Sequence, residues 1–222
     1  MARRRRLKKK EIKEDRLVTV ALGVSNYVQE HFAQVVAGVV VLLAAVAVIL
    51  FTAQARRNSA RAAEQELAVA MNIYQVGNTS EAGTSFANVA DRYSQHDPGV
   101  IALYFLGECQ LAQSRYQEAV QAYDRYLDKA GEKGQFSDAA LMGQAYCYEG
   151  LKDYPQAAAV MEKLSQTMDP QDARYLEVLY SAGAFYEESG AREKALDFFR
   201  RLSELATGEL KGRADVRVAL LE

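Results

Sequence analysis

Three segments, "SRYQEAVQAYDRYL" from Ser114, "KDYPQAAAVMEKLS" from Lys152 and "GAREKALDFFRRLS" from Gly190, write one pattern at a spacing of 38 residues. Ala119, Ala157 and Ala195 hold one place in it, and Tyr123, Met161 and Phe199 hold another. Twelve residues before each alanine stands a small residue, Gly107, Ala145 or Gly183, and four before that a leucine, Leu103, Leu141 or Leu179. A weaker copy aligns on Ala82, with Ala70 before it and Phe86 and Val89 after it, so the alanines are spaced by 37, 38 and 38 residues. Small residues let two helices approach closely, and bulky apolar residues three and four positions away fill the space around the contact. The unit is therefore a helical hairpin. Gly150 and Gly190 mark turns between paired helices; Gly131, Gly134 and Asp169–Pro170 mark connections between hairpins. The spacing predicts an all-α stack of four hairpins, closed by a last helix near 214–221.

Small residue, aromatic (Tyr116, Tyr154; Arg192 departs), alanine and bulky apolar residue stand in the order of a tetratricopeptide repeat, which the unit resembles. That repeat has a period of about 34 residues, so four extra residues imply longer helices or longer inter-hairpin loops. The tryptophan common near its start is absent.

Ahead of the repeats, Phe32 to Ala53 carries no charged side chain. At 1.5 Å per residue such a run reaches about 33 Å, enough for a hydrocarbon core of about 30 Å. The expected organisation is a basic tail with an amphipathic helix over 1–31, a transmembrane helix over 32–54, and a repeat domain over 55–222. "AQA" at Ala53–Ala55 resembles a signal cleavage site, but the apolar run and its leader are long for a secretory signal. Residues 1–31 hold nine basic and four acidic side chains, a net of +5. Arg3–Arg6, Lys8–Lys10, Lys13 and Arg16 outweigh Arg56, Arg57 and Arg61 beyond the span, which places the N-terminus in the cytoplasm and the repeats outside it. A run of Lys and Arg also suits nucleic acid. Beside a span, orientation and contact with anionic lipid are the simpler account, and no nucleic-acid partner is expected. Leu17, Val20, Ala21, Val24 and Val28 recur at helical steps. They fit either a helix lying on the inner membrane face or an inward continuation of the span.

Residue types that carry catalysis are sparse. His31 and His96 form no metal-binding pair, and no phosphate-cradling glycine motif or nucleophile elbow is present. Pairs such as Glu187–Glu188 and Asp124–Asp128 read as solvated helix faces. No enzyme activity, cofactor, metal or small-molecule substrate is expected. Cys109 and Cys147, also 38 apart, occupy equivalent places on first helices. Packed helices sit 8–10 Å apart and a disulfide needs Cα atoms within about 7 Å, so small buried hydrophobes are the simpler reading.

What remains is a surface. First helices of such stacks line the concave side, where partners bind. One face of them carries Leu67, Met71 and Tyr74, then Tyr104, Glu108 and Leu111, then Met142, Tyr146 and Glu149, then Tyr180, Ala184 and Glu187. Met and Tyr give adaptable apolar contact. The lysines and asparagine that would grip a peptide carboxylate are missing from this set. The layout of basic tail, "EIKEDRLVTVALGVSNYVQEHF", one span and repeats is similar to the bacterial ancillary subunits of the SecYEG translocon. That resemblance implies an inner-membrane protein with a periplasmic repeat domain, assisting exported polypeptides as a chaperone or adaptor. Its partners would be the Sec translocon and exported or periplasmic chains, with residues 32–53 contacting lipid. A scaffold for envelope assembly or cell division, binding one folded partner, is the alternative reading.

Overall fold

The computed structural model describes residues 31–131 and 133–222. The basic tail and the stretch Leu17–Val28 lie outside the described residues. Nine helices make up the described chain: α1 (Phe32–Gln75), α2 (Thr79–Arg92), α3 (Asp97–Ala112), α4 (Tyr116–Ala130), α5 (Ser137–Gly150), α6 (Tyr154–Thr167), α7 (Tyr175–Glu188), α8 (Arg192–Leu205) and α9 (Gly208–Leu221). Two compact units divide the chain, one ending at Asn58 and the other comprising Ser59–Glu222. The first half of α1 is the described helix long and apolar enough to cross a membrane. Val41, Leu42, Leu50 and Phe51 there are all more than 60% exposed.

Within Ser59–Glu222 the end of α1 pairs with α2, then α3 with α4, α5 with α6 and α7 with α8, and α9 lies against α8. The 38-residue period resides in the connections: hairpin turns such as Ser189–Ala191 are short, whereas Gly131–Phe136 and Met168–Arg174 join hairpins. The closing helix begins at Gly208, a turn and a half before the stretch singled out in the sequence.

The alanine register is the register of the core. Ala82, Ala119, Ala157 and Ala195 are fully buried, as are Phe86, Tyr123, Met161 and Phe199 four residues on. A Cβ on Gly107 would stand 2.6 Å from the Tyr123 ring and one on Gly183 2.9 Å from the Phe199 ring, so each glycine makes room for its own hairpin's aromatic. Leu127 and Tyr148 pack against both of two core clusters, one formed by α1–α5 and one by α5–α9. The cores meet across α5, as expected of stacked units that each contact only their neighbours.

Helix ends follow local chemistry. Asn78 accepts from the Glu81 amide at 3.3 Å while its own amide reaches Glu81 Oε2 at 2.6 Å, a reciprocal N-terminal cap. Each hairpin turn contains one left-handed residue: Gly77 (φ 85°), Ser114 (58°), Lys152 (60°) and Gly190 (80°), spaced like the alanines. Gly150 is thus not the turn residue that the sequence suggests. It is the last residue of α5, and a Cβ there would stand 2.5 Å from the ring of Tyr116, the aromatic that opens α4.

Candidate protein-binding surface

First helices α3 and α5 touch one another directly, so the first helices of successive hairpins stack side by side. The side chains anticipated for the concave face occupy an intermediate environment. Leu67, Met71, Tyr74, Tyr104, Glu108, Leu111, Met142, Tyr146, Tyr180, Ala184 and Glu187 are half-buried, and Glu149 is exposed. For the apolar members half-burial follows from position: Leu67, Met71, Tyr74, Tyr104 and Leu111 pack against one core cluster, and Met142, Tyr146, Tyr180 and Ala184 against the other.

Around α3 they assemble into an aromatic floor. Tyr104 stacks on Phe136 with ring centroids 4.6 Å apart and planes within 4°. Phe105 meets Tyr74 edge-on at 5.8 Å and Phe136 at 5.5 Å. Glu108 sits among phenols; the Tyr123 hydroxyl donates to its Oε1 at 2.6 Å. Burial first, then the Glu108 charge, pushes the hydroxyls of Tyr74 and Tyr104 above the ordinary tyrosine range. These phenols therefore stay neutral donors.

Around α5 and α7 the contacts are polar and fewer. The Tyr146 hydroxyl donates to Glu177 Oε1 of α7 at 3.0 Å, and burial followed by that carboxylate pushes its pKa up to about 12. Tyr180 and Glu187 have company from α9: the Arg213 guanidinium lies 4.3 Å over the Tyr180 ring, and Arg217 pairs with Glu187 at 3.0 Å. Tyr180, Arg213 and Arg217 line a cleft of about 490 Å³ with Val216 and Glu209.

Sequence periodicity missed Phe105, Phe136, Glu177, Arg213 and Arg217. Phe105 lies two residues before Gly107, off the small-residue stripe, and Phe136 lies in a connection that no helical period covers. The four-residue spacing of Arg213 and Arg217 was the available signal for a charged helix face.

Cys109 and Cys147 are free and fully buried. A Cβ on Gly83 of α2 would stand 3.3 Å from Cys109 Cβ, so this cysteine packs where neighbouring hairpins meet. Burial pushes the thiols up to about 11 and about 12, which keeps them protonated and inert.

Residues 70–134 and 139–167 match models of the tetratricopeptide repeat. No curated protein sequence matches the chain. Among solved structures, MamA from Desulfovibrio magneticus RS-1 aligns over 72% of this chain and 82% of its own at 19% identity, with a TM-score of 0.58. The nearly identical TPR-like repeats assigned to a Podosopora anserina kinesin light chain align over 73% of this chain and 86% of theirs at 14% identity, with a TM-score of 0.58. Apo RapI aligns over 66% and 56% at 15% identity, with a TM-score of 0.57. Helical stacks of this type are protein-interaction scaffolds whose curved inner face receives partners. Ser59–Glu222 has the fold of a tetratricopeptide-type solenoid, four hairpins and a closing helix, and it is a protein-binding module.

Proposed function

We propose that this protein is a membrane-anchored binding module for exported polypeptides, acting beside the Sec translocon as a periplasmic chaperone or adaptor. The observation that carries the reading is the combination of one lipid-length apolar helix with a repeat domain whose inner face is half-buried aromatic and thioether surface. Residues 32–54 span the inner membrane, the basic tail stays in the cytoplasm, and the repeats face the periplasm. Anchoring raises the local concentration of the groove where chains emerge, so contacts that are individually weak suffice. The translocon itself enters through the layout that this chain shares with ancillary SecYEG subunits.

A photo-crosslinking residue at Met142 or Tyr146, irradiated in intact membranes, tests this. A spread of exported polypeptides together with translocon subunits is the expected yield. One folded envelope protein as the only adduct would replace this reading with an assembly scaffold, and adducts confined to cytoplasmic proteins would overturn the topology.

A further inference from the structure

The closing helix shows in cis what the inner face recognises. Arg213 and Arg217 stand one helical turn apart on α9; the first lies 4.3 Å over the Tyr180 ring and the second ion-pairs with Glu187 at 3.0 Å. Tyr180 and Glu187 are repeat positions, three before and four after Gly183. The same offsets give Tyr104, three before Gly107, and Glu149, four after Ala145. The intervening offset, one residue after the small position, supplies Glu108 and Tyr146. The positions that would complete the pair, Leu111 in the second hairpin and Met142 in the third, are apolar. Each of these hairpins therefore presents its own tyrosine and carboxylate, Tyr104 with Glu108 and Tyr146 with Glu149, three or four residues apart and not the seven that separate Tyr180 from Glu187.

Those upstream carboxylates lack a cation. Among the described residues no Lys or Arg nitrogen lies within 4.0 Å of Glu108 or Glu149, although Glu66, Glu162 and Glu187 each have one. Glu108 in particular is half-buried, with a phenol as its hydrogen-bond donor. A negative charge withdrawn from water and faced by aromatic rings favours a cation, through both Coulomb attraction and the negative ring faces. The wider field agrees: residues 59–222 hold sixteen basic and twenty-five acidic side chains.

We propose that the inner face of the second and third hairpins binds a polypeptide segment bearing two arginines or lysines one helical turn apart, seated on Tyr104, Glu108, Tyr146 and Glu149 as α9 is seated on Tyr180 and Glu187. This rests on the reading above that the face receives polypeptide, and it adds the chemistry of what is received. The segment is a short basic helix with apolar neighbours, its cations on the carboxylates and its apolar side chains on the Tyr104–Phe136 floor.

The test uses the full chain in nanodiscs of neutral phosphatidylcholine, with empty discs as the lipid control. Two fluorescein-labelled amphipathic peptides share all apolar residues; one has two arginines four apart and the other glutamines there. The arginine peptide is expected to bind about tenfold tighter and to weaken as salt rises through the range that screens exposed charges. Glu149→Gln, at an exposed position, should weaken the arginine peptide about threefold to tenfold and leave the glutamine peptide unchanged. Glu149→Lys should reverse the preference toward a peptide with two glutamates. Equal binding of both peptides, unaltered by Glu149→Gln, overturns the basic-segment proposal while leaving an apolar polypeptide groove. Binding of neither peptide, with the helical content of the protein intact, overturns the groove as well.

Discussion

Gly107→Ala isolates the small-residue rule on which the fold rests. The added Cβ would stand 2.6–2.9 Å from three atoms of the Tyr123 ring, against 3.4–4 Å for ordinary contact. The ring has no retreat. It is fully buried, its hydroxyl is bonded to Glu108 at 2.6 Å, and on its other side a Cβ on Gly143 would also stand 2.6 Å away. Overpacking of this kind costs about 1–3 kcal/mol. Replacing a helical glycine by alanine returns about 0.5–1 kcal/mol of backbone entropy. The net expectation is a loss of about 1–2 kcal/mol, or about 2–8 °C in Tm for a unit of this size. The third hairpin supplies the internal remedy, since there Ala145 stands opposite the unbranched Met161. Gly107→Ala combined with Tyr123→Met should thus cost about 1 kcal/mol less than the two single changes added together. Urea unfolding of Ser59–Glu222 followed by circular dichroism measures all three. Gly212→Ala is the control, because nothing lies within 4 Å of its Cβ, and it should stabilise by about 0.5–1 kcal/mol. Strict additivity of the pair, or a Gly107→Ala protein as stable as the parent, would refute the claim that glycine and ring share one space.

Ser114→Gly and Lys152→Gly should each raise stability by about 0.5–1 kcal/mol, since both hold left-handed backbone at φ near 60°, whereas Gly190→Ala at φ 80° should lower it by a similar amount. The Glu162 carboxyl is held below its ordinary range by the Tyr186 hydroxyl and then by Lys194. A lowered folded pKa gives stability that is present above the unfolded value and lost as pH falls through the folded one. The gap between parent and Glu162→Gln should accordingly be full near neutral pH and close below about pH 4 in acid-titrated unfolding. Iodoacetamide at pH 8 should leave Cys109 and Cys147 unmodified in the folded protein and label both in urea, read by mass spectrometry. For topology, a reporter active only outside the cytoplasm should work when fused after Glu222 and fail when fused after Glu30, and the opposite pattern would reverse the proposed orientation.

The sequence by itself determined the hairpin, its register and the number of units, because helix contacts demand small residues at fixed places and a repeat shows that demand four times. Ala82, Ala119, Ala157 and Ala195 could be set in line before any coordinate was known, and all four are fully buried. A lipid-length helix was equally plain, since hydrocarbon thickness acts on composition and length alone. Only the tertiary structure decided which half-buried side chains meet. Phe136 lies in a connection outside the repeat, and its stacking on Tyr104 depends on how that connection folds back over α3. Tyr104 consequently carries packing as well as surface, so its truncation would cost stability, and Tyr146, whose hydroxyl bonds Glu177 at 3.0 Å and which makes no such ring stack among the described residues, is the cleaner probe of binding. Nor does periodicity foretell that Arg213 and Arg217 cover Tyr180 and Glu187, because α9 stands outside the four-fold pattern. Periodicity records contacts that every unit repeats; contacts made once, at an end or across a connection, leave no second copy in the chain to align.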